Sequence, residues 1–292
     1  MQSLTQPIKV EFVPTMNGQY ALHERIGQGG MGIVYRGEQL ALGRTVAIKL
    51  LHPELAAIPE LVRRFHVEAR AASRLSHRGS VAVYDYGVTS DGAPFIVMEY
   101  VAGETLTRLI RERWPVSMQA TVDLAIQILA AVGDAHGAGV IHGDIKSDNV
   151  LVETGRDGVD HAKLVDYGLA RLVDEIGIDE GVCGTPEYMA PEVASGDPAT
   201  ESSDLYSVGA VIYEMLTGAP PFAGADPNEV LKLQVNAAVT PPSQRSPDLV
   251  ISRVLEAVVM KALEKNPADR FPSAAHFAAA LDRARPDDAD EV

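Results

Sequence analysis

The chain has 292 residues, 46% of them hydrophobic, which is long for one compact core, comfortable for two lobes sharing a cleft, and too apolar for global disorder. Its formal net charge of -15 argues against wholesale binding to nucleic acid or to an anionic membrane surface, because both need basic patches. A single cysteine, Cys183, excludes an internal disulfide and a paired-cysteine zinc site. No apolar run approaches the roughly 18–20 residues of a membrane span, and the N-terminus lacks a basic region followed by an apolar stretch. The reading is a soluble cytoplasmic chain, either whole or cut from a longer, membrane-anchored protein.

Residues 1–19 have no period and read as a leader. From Tyr20 the chain becomes strand-like, and Ile26–Tyr35 reads as a glycine-rich hairpin tip flanked by β-formers. Thr45–Leu51 is a short buried strand. Residues 59–75 carry Leu61, Val62, Phe65, Ala69 and Ala72 at helical spacing, and Val81–Gly87 and Phe95–Tyr100 read as two further strands. Beyond Gly103 helices dominate: Ser117 is an N-cap candidate for a long apolar helix through Ala135, and Ser203 for Asp204–Leu216. Gly218 sits where the latter helix should end. Ile141–Val152 reads as an irregular loop running into a strand, with Lys163–Val165 a second strand. Leu249–Leu263 and Ser273–Leu281 are expected helices, and Pro286–Val292 an acidic tail.

Five segments carry chemistry. Gly27-x-Gly29-x-x-Gly32 lets backbone approach a polyphosphate without Cβ clashes, although glycines at this spacing also serve simple hairpins. Lys49 ends an apolar strand; it either snorkels to solvent or neutralises phosphate, and Glu68, on the helix of this β-rich third, is its candidate partner. Arg63, Arg64 and Arg70 lie near Glu68 and leave a solvated face as the alternative. His142-Gly143-Asp144-Ile145-Lys146-Ser147-Asp148-Asn149 occupies a loop between helix and strand, and Asp166-Tyr167-Gly168 follows a strand. Asp144 can accept a proton from an attacking hydroxyl, Lys146 can steady a transferring phosphate, and Asn149 and Asp166 offer hard oxygen ligands suited to Mg²⁺. The fifth segment is Gly184-Thr185-Pro186-Glu187-Tyr188-Met189-Ala190-Pro191-Glu192.

In this order and context the five segments resemble the signature of eukaryotic-type protein kinases, and the Gly-Gly-Met-Gly form of the glycine loop is similar to that of bacterial Hanks-type serine/threonine kinases. The resemblance runs from about Tyr20 to Leu281. It implies an α+β, bilobal fold: a β-rich N-lobe with one main helix (about 20–101) and a mostly helical C-lobe (about 102–283), before an acidic tail at 284–292. It implies ATP and Mg²⁺, with Mn²⁺ an alternative ion, and a protein substrate with a serine or threonine acceptor. Gly27, Gly29 and Gly32 would cover the ATP phosphates, Lys49 would hold the α- and β-phosphates against Glu68, Asp144 would be the base, and Asn149 and Asp166 would bind the metal. Val34, Ala47 and Leu151 would sandwich adenine, Met98 would close the pocket, and the backbone of Glu99 and Val101 would meet the adenine edge. Lys146 resembles the serine/threonine class. Thr185 would pack near Asp144 and Lys146, Glu192 would pair with Arg270, and Asp204 would brace the catalytic loop.

Two departures stand out. Gly143 occupies the place of the usual arginine, which in many relatives pairs with a phosphorylated activation loop. From Leu169 to Gly184 there is no Ser, Thr or Tyr; Asp174, Glu175, Asp179 and Glu180 are there instead. Either these acids stand in for phosphate or they form a solvated face. Tyr167 replaces the usual phenylalanine, so its hydroxyl needs a partner if buried. A nucleotide-binding scaffold without turnover is the alternative function.

Overall fold

The computed structural model describes residues 18–167, the backbone of 171–172, and residues 184–286. The chain forms two compact units; among the described residues the first comprises 18–73 and 81–101, and the second 74–80 and 102–286.

The first unit contains β1 (Tyr20–Gln28), β2 (Gly32–Gln39), β3 (Arg44–Leu51), α1 (Pro53–Ala56), α2 (Pro59–Ala72), β4 (Val83–Val88) and β5 (Pro94–Glu99). Its five strands form an antiparallel sheet in the order β1-β2-β3-β5-β4. Side chains alternate along a strand, so the register decides what shares a face. Val46, Ile48, Phe95 and Val97 lie on one face with Tyr20 and Leu22. Leu51 and Ile96 lie on the other and pack on Phe65 and Ala69 of α2. Phe65 is fully buried, which stabilises this unit by about 1.5–3 kcal/mol. Pro59 starts α2 at a position where its missing N–H costs nothing.

The second unit contains β6 (Glu104–Thr105), α3 (Leu106–Arg113), α4 (Met118–Gly137), β7 (Val140–Ile141), β8 (Val150–Thr154), β9 (Asp160–Leu164), β10 (Arg171–Leu172) and α5 (Pro191–Ala194). There follow α6 (Glu201–Thr217), α7 (Pro227–Asn236), α8 (Pro242–Arg245), α9 (Arg253–Ala262) and α10 (Ala274–Arg283). Helix α6 is its axis: Leu205 through Leu216 include no exposed residue, and α4 and α9 pack against it. This accounts for its apolar composition all round.

Helix ends follow local chemistry, with two corrections to the sequence reading. Ser117 caps α4 by accepting the Ala120 N–H at 3.1 Å. Helix α6, however, starts at Glu201 under Thr200, and Ser203 is its third residue. Thr200 and Ser203 form a reciprocal capping box, which satisfies two orphan N–H groups where a lone Ser203 cap would satisfy fewer. The second correction concerns Leu249–Leu263, in which helix begins only at Arg253. Val250 is 81% exposed and lies off the apolar face made by Leu255, Val259 and Ala262. Gly218 ends α6 at φ 78°, where a Cβ would meet the Trp114 ring at 3.1 Å, so both backbone and packing require glycine.

Candidate active site

In the first unit the glycine loop joins β1 to β2, and only one of its glycines is demanded by packing. A Cβ on Gly32 would lie 2.1 Å from the Leu50 carbonyl oxygen, and one on Gly29 would meet nothing within 4 Å. Fold therefore explains Gly32 and leaves Gly29 bare, as backbone approached by a ligand requires. The loop is tethered by His52, whose Nε2 lies 3.1 Å from the Gly29 oxygen. Gly32→Ala should lower the unfolding free energy by about 1–3 kcal/mol through overpacking. Gly29→Ala should leave the urea midpoint unchanged while weakening nucleotide affinity; equal midpoint losses for both would contradict this assignment.

Strand register gathers the other first-unit candidates. Val34 lies opposite Lys49 across β2 and β3, and Ala47 opposite Met98 across β3 and β5. These four share the sheet face that α2 covers. Glu99 pairs with Val46, and the Glu99 N–H donates to the Ala82 carbonyl at 2.9 Å. Val101 ends the unit and is buried. Lys49 Nζ lies 2.7 Å from Glu68 Oε1, with both residues buried. Two charges taken out of water hold only if paired, so this contact is incompatible with the solvated-face reading of Glu68.

In the second unit the loop between β7 and β8 carries Asp144, Lys146 and Asn149. Lys146 Nζ donates to Asp144 Oδ2 and to Thr185 Oγ1, each at 2.7 Å. The Thr185 hydroxyl donates to Asp144 Oδ1 at 3.1 Å, and its N–H to the same oxygen at 3.2 Å. Asn149 Nδ2 donates to the Asp144 carbonyl at 2.9 Å. Leu151 follows on β8, opposite Lys163. Asp144 thus already accepts a hydrogen bond from a hydroxyl while a lysine ammonium touches both partners.

The loop is held from below by α6. Asp204, 1% exposed, accepts the His142 N–H at Oδ2 and the Gly143 N–H at Oδ1, each at 2.9 Å, and His136 Nε2 lies 2.8 Å from Oδ2. Gly143 has φ 76°, a conformation that resists any side chain. Asp166, exposed, has φ 62° and is the only non-glycine residue at positive φ among the described residues. Such strain persists where the surroundings over-determine it, and functional sites are where it collects. The Tyr167 ring lies 4.5 Å from that of His142. Its hydroxyl meets Ser80 at 3.0 Å, which supplies the partner the buried phenol needs, and burial pushes the phenol up to about 12.

Comparison with known proteins accords with this geometry. The family model for the protein kinase domain matches residues 20–280. The chain belongs to the protein kinase family. It is 42% identical over 275 residues to the serine/threonine-protein kinase pkn3 of Myxococcus xanthus, covering 91% of this chain and 50% of that protein. It is 38% identical over 276 residues to the serine/threonine-protein kinase PknB of Mycobacterium leprae, covering 92% of this chain and 43% of that protein. The chain thus spans half the length or less of these curated relatives. Among solved structures, a double mutant of the Mycobacterium tuberculosis PknI kinase domain matches with a TM-score of 0.71 at 28% identity, covering 91% of this chain and 96% of that one.

The segment after Thr185 in this kinase domain is anchored by Arg270. Its guanidinium is bidentate on Glu192, with Nη1 at 2.8 Å from Oε1 and Nη2 at 2.7 Å from Oε2. Burial, the largest single influence, pushes the Glu192 carboxyl up, but the hydrogen bonds and charge of Arg270, a backbone N–H and the Ser203 hydroxyl together outweigh it and hold the group below the usual carboxylate range. Sequence reasoning missed a hydroxyl chain that runs inward from half-buried Thr107: Thr107 to Ser147 at 2.8 Å, Ser147 to Tyr188 at 3.0 Å, and Tyr188 to Glu214 Oε2 at 2.8 Å. The available signal was a glutamate inside a helix apolar all round. Gly168, Cys183 and the acids Asp174, Glu175, Asp179 and Glu180 lie outside the described residues, as does any pairing they make. No helix among the described residues is long and apolar enough to cross a membrane.

Proposed function

We propose that this domain transfers the γ-phosphate of ATP to serine or threonine hydroxyls of protein substrates, with a divalent metal, Mg²⁺ or Mn²⁺, as cofactor. The observation that carries this reading is the contact set at Asp144: a carboxylate accepting a hydroxyl hydrogen bond beside the Lys146 ammonium. Asp144 takes the proton of the attacking hydroxyl as the new O–P bond forms and ADP departs, and Lys146 offsets charge on the transferring group. Gly27, Gly29 and Gly32 present backbone to the phosphates. Lys49, oriented by Glu68, holds the α- and β-phosphates. Val34, Ala47 and Leu151 flank adenine, Met98 backs it, and the backbone of Glu99 and Val101 meets its edge.

The donor set suits magnesium: Asn149 and Asp166 supply hard oxygens, and magnesium sites are completed by substrate phosphates and water. When bound, the ion supplies positive charge against the phosphate oxygens. Regulation is read as independent of loop phosphorylation upstream of Thr185, because Leu169–Gly184 holds no hydroxyl and position 143 no cation. Asp204 holds the catalytic loop through its backbone instead.

The test is to incubate the chain with Mg²⁺, labelled ATP and a generic protein substrate, beside Lys49→Met and Asp166→Asn, and to map phosphosites by mass spectrometry. Label on Ser or Thr made by the parent alone is expected. Nucleotide binding without any label would overturn the reading in favour of a scaffold.

A further inference from the structure

The tip of the glycine loop, residues 29–32, is held inside the first unit by hydrogen bonds of two kinds. Two of them close the turn. The Gly29 N–H donates to the Gly32 carbonyl at 2.9 Å, and the His52 N–H donates to the Met31 carbonyl at 3.0 Å, one step beyond the Gly32–Leu51 pair of β2 and β3. The Met31 side chain also packs against the cluster of Leu51, Phe65, Ala69 and Ile96. The turn is therefore shaped by backbone and by a core contact, without need of the His52 ring.

The ring does something else. His52 Nε2 lies 3.1 Å from the Gly29 oxygen, and among the described residues neither has another hydrogen-bond partner. A carbonyl oxygen only accepts, so Nε2 carries its proton. The Gly29–Gly30 peptide is trans. In a trans peptide the C=O and the following N–H point in opposite directions. With the Gly29 oxygen turned to His52, the Gly30 N–H is turned away from it. That N–H meets no acceptor among the described residues, and Gly30 is exposed. A Cβ on Gly30, like one on Gly29, would meet nothing within 4 Å, so a ligand has room there. A peptide between two glycines has no Cβ on either side to resist rotation, so the His52 ring is what sets its plane.

We infer that His52 is a positioning residue for the nucleotide: its ring sets the Gly29–Gly30 peptide so that the Gly30 N–H is presented to a phosphate oxygen. The inference rests on the proposed ATP reading and adds to it one residue and one donor. His52 acts through the loop peptide. Successive backbone N–H groups bind phosphate well when they are already aimed. Without the ring the plane must be ordered on binding, which costs affinity.

The chain and three variants are titrated calorimetrically with ATP and with adenosine, both in Mg²⁺. His52→Ala and His52→Leu remove the donor, the second with less loss of bulk; His52→Gln keeps an N–H donor. ATP should bind the Ala and Leu variants about three- to tenfold more weakly, the usual span for one hydrogen bond. Adenosine has no phosphate and should bind all four proteins alike. His52→Gln should stay within about twofold of the parent for ATP. Urea midpoints check the fold; if His52→Ala is destabilised, the comparison of His52→Leu with His52→Gln carries the test. Unchanged ATP affinity without the donor, an equal loss for adenosine, or a Gln variant as weak as the Leu variant would overturn the role of His52. A parent that binds ATP no more tightly than adenosine would instead remove the phosphate contacts of the loop, and this inference with them.

Discussion

Arg270→Ala should lower the unfolding free energy by about 3–5 kcal/mol, a large share of the roughly 5–15 kcal/mol that holds a domain folded. The side chain of Arg270 is fully buried and meets more than Glu192. Its Nε donates to the Glu264 carbonyl at 2.7 Å, Nη1 to that of Ser202 at 3.0 Å, and Nη2 to that of Lys265 at 3.0 Å. The guanidinium also lies 4.9 Å over the Tyr206 ring. Alanine leaves a partly buried carboxylate, which keeps only the Ser203 hydroxyl among side-chain donors, and three carbonyls without these donors. The pH dependence has a definite sign. The folded-state value of Glu192 is depressed, so its stabilisation is fully present above the unfolded carboxylate value and is lost as pH falls through the folded one. The gap between parent and variant should therefore be widest near neutrality and narrow in acid. Urea midpoints at neutral and acidic pH measure it; a neutral-pH loss below about 1 kcal/mol would place the pair with ordinary surface bridges. A Glu192→Leu, Arg270→Met double variant should be less destabilised than Arg270→Ala, because no charge is left stranded.

Asp144→Asn should reduce turnover by about 10²–10⁴-fold, the usual contribution of a positioned general base. Asparagine keeps the shape and can still accept from the Thr185 N–H and hydroxyl, so the fold should survive with a nearly unchanged melting temperature. Nucleotide affinity should stay within a few-fold, because every contact of the Asp144 carboxylate runs to Lys146, Asn149 and Thr185. Steady-state phosphorylation of a protein substrate, with nucleotide affinity measured separately, distinguishes loss of chemistry from loss of binding. Turnover within tenfold of the parent would remove Asp144 from the role of base.

The candidate site was legible in part because its segments are local. Gly27-x-Gly29-x-x-Gly32, the run from His142 to Asn149, and Thr185 to Glu192 are each one short continuous stretch, where residue type and spacing are the whole signal. The Lys49–Glu68 pair was less so: from the chain alone Glu68 is equally at home on a solvated face among arginines. The 2.7 Å contact and the burial of both residues choose between these, and both depend on α2 lying across the sheet face of β3. Of the Thr107–Ser147–Tyr188–Glu214 chain only the lone glutamate of α6 was legible, since its members come from α3, the loop between β7 and β8, the segment after Thr185, and α6. The start of α6 was misread for a similar reason: Thr200 and Ser203 are both good caps, and only their reciprocal bonding places the helix end.

By itself the sequence determined the β-rich first unit and the helical second one, through side-chain alternation along strands and 3.6-residue spacing along helices, which are properties of neighbours in the chain. It also picked out the candidate residues for the proposed phosphoryl transfer. The tertiary structure decided which buried charges are paired. Lys49 meets Glu68 and Arg270 meets Glu192, whereas Glu214 accepts from the Tyr188 hydroxyl and forms no ion pair among the described residues. Pairing of a buried charge depends on what distant segments bring within about 4 Å, where electrostatic energy changes by several kcal/mol, and no local pattern encodes that distance.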